Sequence, residues 1–162
     1  DTPTMKDLKL TTPCRLATFD ELDESDRRLV QLAREATFRS YAPYSKFRVG
    51  AAILLDNGET VTGANQENVA YPSGTCAERT ACYYAHATYP DARFKAIGIA
   101  ARDTDGNFVA TPTAPCGACR QALLEYEMLA GGDVRVILAG ADEIYILPSV
   151  KSTLPFAFTE FS

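Results

Sequence analysis

The chain has 162 residues, a length that fits one folded domain with a sizeable core, and we assign residues 1–162 to a single domain. Its hydrophobic fraction of 46% and charged fraction of 23% are typical of a folded protein and argue against an intrinsically disordered one. The net charge of −5, without any block of Lys and Arg, argues against a nucleic-acid polymer as the partner.

The apolar runs are too short for a membrane span, which needs roughly 20 residues. The longest runs lie at residues 49–55 and 134–140, and the N-terminal segment has no apolar signal-peptide core. We therefore expect a cytoplasmic protein that does not bind a membrane. The five cysteines are an odd number, which in a reducing compartment favours a metal site or catalysis over a disulfide framework.

The first predicted element is a helix within residues 20–40. Thr18 and Glu21 have the spacing of a capping box, and apolar residues recur at helical spacing after them. The helix is expected to end before Pro43, which cannot continue it. Residues 1–17 show no such pattern, and we expect them to form an irregular N-terminal extension.

A β-hairpin is predicted next. Residues 47–55 form a continuous apolar run, and a second strand follows at 59–65. Between them lies the dipeptide Asn57-Gly58, the strongest short signal for a tight turn between two strands. A loop that contains Pro and Gly is expected over residues 66–75.

The rest of the chain alternates between helical and extended patterns. The predicted elements are a helix at 77–86, a strand at 95–101, a helix at 117–129 and strands at 134–139 and 143–147. A long loop at 104–115 precedes the last helix. Together with the hairpin and the first helix, this order predicts an α/β fold, in which a five-stranded mixed sheet carries helices on both faces.

Three cysteines stand where the last two helices are predicted to begin. Cys76 precedes one helix, and Cys116 with Cys119 forms a CxxC pair at the start of the other. Residues three apart on a helix lie on nearly one face, so both sulfurs can reach one metal ion. If both helix starts point at one place, three thiolates converge there. The alternative interpretation is that these are buried structural thiols or a redox pair.

Zinc is the metal that suits such a site, because thiolates are among its preferred ligands. Three thiolates and one Zn²⁺ carry excess negative charge, which the helix N-termini and the guanidinium groups of Arg79 and Arg120 would offset. Catalytic zinc sites have three protein ligands and leave a position for water. Glu78, two residues after Cys76, would then accept and pass on a proton.

The motifs resemble a known family. CAE at residues 76–78 and PCGAC at 115–119 fit the signature of zinc nucleobase deaminases. With NQEN at 65–68 and LPFAF at 154–158, they resemble the small, homotetrameric cytidine deaminases that act on free nucleosides. The resemblance implies a three-layer α-β-α fold, one Zn²⁺ per subunit, and hydrolytic deamination of cytidine and 2′-deoxycytidine in pyrimidine salvage.

The resemblance also implies a role for each residue of the site. Cys76, Cys116 and Cys119 match the zinc ligands, and Glu78 matches the residue that moves the proton. The positions that match substrate contacts are Phe47 and Ala77 at the base, Asn65 and Glu67 at the ribose, and Phe158, which a neighbouring subunit places over the base. The positions that match hydrogen-bond partners of the ligand sulfurs are Arg79 and Gln121.

Two departures from the family pattern concern the C-terminus and the loops. Phe156 lies two residues before Phe158, so either ring is a candidate for the contact with the base. The loop at 104–115 and the N-terminal extension are longer than in the compact members. Two other functions stay open: a related zinc deaminase for another aminated base or nucleoside, and a non-catalytic zinc module with Cys14 or Cys82 as fourth ligand.

Several of these residues also have a purely structural interpretation. Asn65 is then a residue that caps or turns the chain, and Glu67 is an ordinary loop acid. In the same interpretation, Phe47 packs in the core and Phe158 packs at the C-terminus. The position of each side chain distinguishes the two interpretations.

Overall fold

Six strands form one mixed sheet within residues 2–161, the part of the chain that the computed structural model describes. In chain order, the strands are β1 (Arg15–Ala17), β2 (Arg48–Leu55), β3 (Thr60–Ala64), β4 (Phe94–Arg102), β5 (Arg135–Ala139) and β6 (Ile144–Leu147). The helices are α1 (Glu24–Ala36), α2 (Ala77–Thr88) and α3 (Gly117–Ala130). No helix in this described range is long and apolar enough to cross a membrane.

The strand order across the sheet is β1-β6-β5-β4-β2-β3. β4 and β5 run parallel, whereas the other neighbouring pairs are antiparallel. The parallel pair needs a long crossover connection, and α3 lies in it. The predicted hairpin of β2 and β3 is confirmed, and its turn contains Gly58 at a φ of 85°.

Two buried clusters fill the space between the sheet and its helices. α1 packs on one face, through a cluster that includes Leu29, Val30, Ala52 and Ile137. α2 and α3 pack on the other face, through a cluster that includes Ile53, Ala81, Leu123 and Leu124. Ala52 and Ile53 are neighbours on β2 and fall in different clusters, because successive strand residues point to opposite faces. The predicted three-layer α-β-α arrangement is therefore confirmed.

The predicted number of five strands was wrong, because β1 adds a sixth. β1 lies in the segment 1–17 that was expected to be irregular, and it pairs antiparallel with β6 at the sheet edge. A strand of three residues is too short to show an alternating pattern in the sequence. Its formation depends on the backbone groups of β6, which lies far away in the sequence. Residues 2–14 have no regular secondary structure.

The capping residues of α1 also differ from the prediction. The backbone N–H of Thr18 donates to Glu21 Oε1 at 2.9 Å, but this contact closes a short 3₁₀ turn rather than α1. α1 begins three residues later, with Asp23 as its N-cap. The Asp23 carboxylate accepts a hydrogen bond from the backbone N–H of Asp26 at 2.8 Å, which satisfies one of the unpaired donors of the first turn.

Gly63 on β3 determines how closely α2 packs against the sheet. A β-carbon at this position would lie 2.6 Å from the backbone nitrogen of Ala81 and 2.7 Å from the carbonyl oxygen of Ala77. Both atoms belong to the backbone of α2, so neither can turn away as a side chain does. The absence of a side chain at Gly63 therefore places α2, whose first turn carries Ala77 and Glu78, directly on the sheet.

Candidate active site

The first turns of α2 and α3 bring three sulfur atoms together. Cys76 is the N-cap of α2 and Cys116 is the N-cap of α3, and both have extended backbone conformations. Their sulfur atoms lie 3.8 Å apart. Cys119 follows one turn into α3, and the Sγ atoms of all three residues lie within 4.8 Å of one another. The predicted convergence of the two helix starts is confirmed.

This sulfur cluster has the dimensions of a zinc site. Zinc–sulfur bonds of about 2.3 Å in tetrahedral geometry separate two sulfur ligands by about 3.8 Å, and Cys76 and Cys116 show this separation. Within the described residues, the three thiols form a cluster to which no fourth Cys, His, Asp or Glu belongs. One Zn²⁺ per subunit therefore fits the donor set, and three ligands are the number typical of catalytic rather than structural zinc.

The other two cysteines lie apart from the sulfur cluster. Cys14 is exposed, and Cys82 is fully buried in the core beneath α2. The Cys82 thiol points to the carbonyl oxygen of Arg79 at 3.7 Å, and burial raises the pKa of this thiol to about 12. Neither residue is part of the metal-binding group, so the structure does not support a closed four-ligand site.

One of the two expected cations lies beside the sulfurs. Arg79 Nη2 donates to Cys76 Sγ at 3.4 Å. Hydrogen bonds from the Cys119 thiol and from the Arg79 guanidinium lower the pKa of Cys76 to about 5, which favours the thiolate that metal binding requires. Arg120 does not share this role, because its guanidinium donates to the carbonyl oxygens of Pro115 and Thr153.

Glu78 lies beside the sulfur cluster and is almost completely buried. It is the second residue of α2, and only 4% of its surface is exposed. Glu78 Oε2 lies 3.7 Å from the Cys119 sulfur. Burial raises the pKa of the Glu78 carboxyl above its usual value. Cys76 and Glu78 point in different directions around the helix axis, yet both line one cavity, because the end of α2 points into it.

A cavity of about 700 Å³ opens over the sulfur cluster. It is lined by most of the residues that the sequence predicts for the site, namely Phe47, Asn65, Glu67, Cys76, Ala77, Glu78, Arg79 and Cys116. A volume of this size is within the range of small-molecule sites. The structure thus brings together residues from a loop, two strand ends and two helix starts.

Asn65 and Glu67 also support the loop that forms one wall of the cavity. The Asn65 side chain accepts from the backbone N–H of Val49 at 2.8 Å and donates to the carbonyl oxygen of Phe47 at 2.9 Å. Glu67 Oε1 accepts from the backbone N–H groups of Tyr44 and Ser45 at 2.9 and 3.1 Å. A hydrogen bond from the Ser45 side chain lowers the pKa of the Glu67 carboxyl. Asn65 and Glu67 therefore have a structural role, which was the alternative to substrate binding. They also line the cavity.

Several cavity-lining residues were not predicted. Tyr44 and Tyr71 stand edge to face with their ring centroids 6.4 Å apart, and Thr113 and Ala114 come from the loop before Cys116. Tyr71 lies three residues after the NQEN segment and is 80% exposed. Its position near NQEN, the segment that the sequence predicts to contact the ribose, was the available signal. No signal in the sequence pointed to Thr113 and Ala114, because their position depends on the path of the loop before Cys116.

Three predicted residues do not line the cavity of their own chain: the fully buried Cys119, and Gln121 and Phe158. The Phe158 ring is exposed and stands edge to face with Phe161, at 5.5 Å between centroids. Gln121 Nε2 donates to the carbonyl oxygen of Phe158 at 2.8 Å, so its side chain holds the C-terminal segment instead of the expected sulfur atom. The family resemblance implied a contact of Gln121 with a ligand sulfur, whereas the C-terminal backbone supplies a stronger acceptor.

A family model matches residues 23–130, and its description is the cytidine and deoxycytidylate deaminase zinc-binding region. The cytidine deaminase of Halalkalibacterium halodurans is 39% identical over 132 residues, which cover 81% of this chain and 92% of that protein. The cytidine deaminase of Sporosarcina psychrophila is 38% identical over 133 residues, which cover 82% of this chain and 90% of that protein.

Solved structures of cytidine deaminases also resemble this chain. The crystal structure of cytidine deaminase from Burkholderia pseudomallei has a TM-score of 0.68 and 36% identity, and the match covers 81% of this chain and 97% of that one. The crystal structure of cytidine deaminase from Mycobacterium tuberculosis has a TM-score of 0.64 and 34% identity, over 86% of this chain and 100% of that one. The chain therefore belongs to the cytidine and deoxycytidylate deaminase family, whose zinc-binding region it carries.

Proposed function

We propose that this chain is a zinc-dependent cytidine deaminase, which converts cytidine and water to uridine and ammonia. The observation that carries the proposal is the position of the buried Glu78 carboxyl beside three converging sulfurs, at a cavity that Glu78, Cys76 and Cys116 line. A structural zinc site needs neither a cavity nor a buried acid. A role in pyrimidine salvage and a location in the cytoplasm are part of the same proposal and rest on the resemblance.

Cys76, Cys116 and Cys119 would hold the zinc ion. When bound by three protein ligands, zinc keeps a position for water and lowers the pKa of that water to about 7. Arg79 supports this arrangement, because its guanidinium donates to the Cys76 sulfur and offsets part of the charge of the thiolates. The family model, which is that of a zinc-binding region, supports the same assignment.

Glu78 would carry the protons of the reaction. Its carboxylate accepts a proton from the attacking water and delivers it to the ring nitrogen next to the amino-bearing carbon of cytosine. The new carbon–oxygen bond forms at that carbon. Glu78 then takes the proton of the new hydroxyl group at that carbon and delivers it to the amino group, the carbon–nitrogen bond breaks, and ammonia leaves as the carbonyl of uridine forms. Burial raises the pKa of Glu78, which favours the protonated form that donates to the base.

The rest of the cavity would bind the nucleoside. Phe47 would pack against the base and the backbone of Ala77 would contact its edge, while Asn65 and Glu67 would bind the ribose hydroxyls. All four line the cavity. Its described lining contains one cationic side chain, that of Arg79, and this group donates to Cys76. A free nucleoside is therefore favoured over a nucleotide, because no further cation is available there for a phosphate.

Activity should be tested on cytidine and on 2′-deoxycytidine with the zinc-loaded protein. We expect ultraviolet absorbance to show loss of both nucleosides, because contacts from Asn65 and Glu67 to the 3′-hydroxyl do not depend on the 2′-hydroxyl. Cytosine base, guanine and cytidine monophosphate serve as comparison substrates. Complete inactivity on 2′-deoxycytidine would contradict this reading of the ribose contacts. Zinc-loaded protein without turnover of cytidine would contradict the proposed function.

We also propose that the active form is a homotetramer in which Phe158 covers the base bound by a neighbouring subunit. The exposed ring of Phe158, outside the cavity of its own chain, supports this proposal. Gel filtration with an activity assay of each fraction is expected to place the activity in the tetramer peak. Phe158→Ala should raise the KM for cytidine without loss of zinc. A fully active monomer would contradict the proposal.

A further inference from the structure

We propose that Arg120 is a positioning residue, which ties the turn that carries Cys116 to the C-terminal segment and thereby sets the place of the Phe158 ring. The proposal rests on the proposed function, in which Phe158 covers the base. Neither the sequence pattern nor the family resemblance assigns this role to Arg120, which was expected to stand beside the sulfurs.

The Arg120 guanidinium connects two backbone segments. Nε donates to the carbonyl oxygen of Pro115 at 2.8 Å, and Nη1 donates to the carbonyl oxygen of Thr153 at 2.7 Å. Pro115 directly precedes Cys116, and Thr153 is a buried residue near the C-terminus. Because the guanidinium is planar and its donors have a fixed geometry, it holds the two segments at a defined separation.

α3 also holds the start of the C-terminal segment, through Glu127. This buried carboxylate accepts from the backbone N–H groups of Val150 at 2.7 Å and Lys151 at 3.0 Å. The same carboxylate accepts a hydrogen bond, at 3.0 Å, from the backbone N–H of Val134, the residue before β5. The chain therefore leaves β6 and enters the C-terminal segment from a fixed position on α3.

The segment between Thr153 and Phe158 contains a strained turn. Phe156 has a φ of 56°, in the left-handed region that an L-residue with a bulky side chain adopts only with strain. Its ring is 84% exposed, so packing within the chain does not offset this strain. Such a conformation persists where the surrounding contacts fix it.

Two consecutive residues of α3 fix this turn from both sides. Arg120 binds the carbonyl oxygen of Thr153 before the turn, and Gln121 binds the carbonyl oxygen of Phe158 after it, at 2.8 Å. Without the Arg120 contact, the carbonyl oxygen of Thr153 loses its link to α3. The turn that ends at Thr153 keeps its own hydrogen bonds, but the chain after it can relax and Phe156 can leave the left-handed region. The Phe158 ring then loses its defined place, although Glu78 and the three sulfurs do not contact Arg120.

The chain contains no tryptophan, so Phe158→Trp provides a single fluorescent reporter of the segment. In this background, Arg120→Lys is expected to lower the fluorescence anisotropy of the reporter and to increase its quenching by acrylamide. Lysine keeps the charge but cannot hold both carbonyl oxygens in the same geometry. Arg28→Lys is the matched control, because Arg28 is exposed on α1, in a different layer from the segment.

With Phe158 retained, Arg120→Lys should raise the KM for cytidine about 5- to 30-fold. A change of this size corresponds to the conformational entropy lost when about one residue becomes ordered on binding. The value of kcat should change much less, and zinc content should stay at one per chain. Unchanged anisotropy in Arg120→Lys, or loss of zinc together with kcat, would overturn the proposal. Arg120→Gln is the second variant if the lysine variant does not fold. If the wild-type protein does not deaminate cytidine, the proposed function fails, while the anisotropy comparison still decides the positioning role.

Discussion

Replacement of Glu78 by Gln is expected to lower kcat for cytidine by about 10²- to 10⁴-fold while zinc content stays near one ion per chain. Glutamine has nearly the same size, so it fits the buried position beside Cys119. Its amide cannot accept a proton from water or deliver one to the base. The loss therefore measures proton transfer rather than packing, and steady-state kinetics with a zinc assay of the same sample checks it.

Glu125→Gln is the matched control for this experiment, because Glu125 is an exposed acid on α3. We expect this control to keep both turnover and zinc. If Glu78→Gln retains wild-type turnover, Glu78 is not the proton-transfer residue. If the wild-type protein binds zinc but neither protein turns over any nucleoside, the chain is a zinc-binding module and the enzymatic proposal fails.

The sulfur cluster could be predicted because each of its parts is local. Cys76 stands directly before α2 and Cys116 directly before α3, and helix starts are well marked in a sequence. Glu78 follows Cys76 by two residues, so it belongs to the same helix end. The sequence left open whether the two helix ends meet. They do, because β3 and β4, which precede α2 and α3, are both antiparallel to β2 and therefore end at the same edge of the sheet.

The two arginines next to the cysteines show where such prediction fails. Arg79 lies three residues after Cys76, and Arg120 lies four residues after Cys116. The sequence therefore places each arginine near the start of a helix and close to a cysteine. Arg79 donates to a sulfur, whereas Arg120 finds the carbonyl oxygen of Thr153 from a segment that lies far away in the sequence. The difference arises from tertiary contacts, which local spacing does not contain. The formation of β1 against β6 depends on distant backbone groups in the same way.

The two residues proposed to bind the ribose were predicted to lie at the site, but the backbone groups that they also hold could not be predicted. Asn65 and Glu67 line the cavity, and they also hold the backbone between Tyr44 and Val49 through hydrogen bonds. A change at either residue therefore affects the shape of the Phe47 loop as well as the proposed ribose contacts. A rise in KM in a variant of Asn65 or Glu67 would not by itself separate these two effects.

Gly63→Ala is expected to lower kcat/KM for cytidine about 10²-fold, although Gly63 does not line the cavity. The added β-carbon would lie 2.6 Å from the Ala81 nitrogen and 2.7 Å from the Ala77 carbonyl oxygen, so α2 must move away from β3. α2 carries Glu78 in its first turn and has Cys76 as its N-cap. A displacement of about 1 Å at reacting groups is enough for a loss of this size.

The same substitution should lower the free energy of unfolding by about 1–3 kcal/mol, as overpacking of a close contact does. The sign of this change is informative, because alanine in place of an unhindered glycine stabilises a protein by reducing the entropy of its unfolded chain. Gly132→Ala is the matched control, since nothing lies within 4 Å of its β-carbon position. Denaturant unfolding and kcat/KM should be measured on both variants. If Gly63→Ala is as stable and as active as Gly132→Ala, the contact between α2 and β3 does not set the geometry of the site.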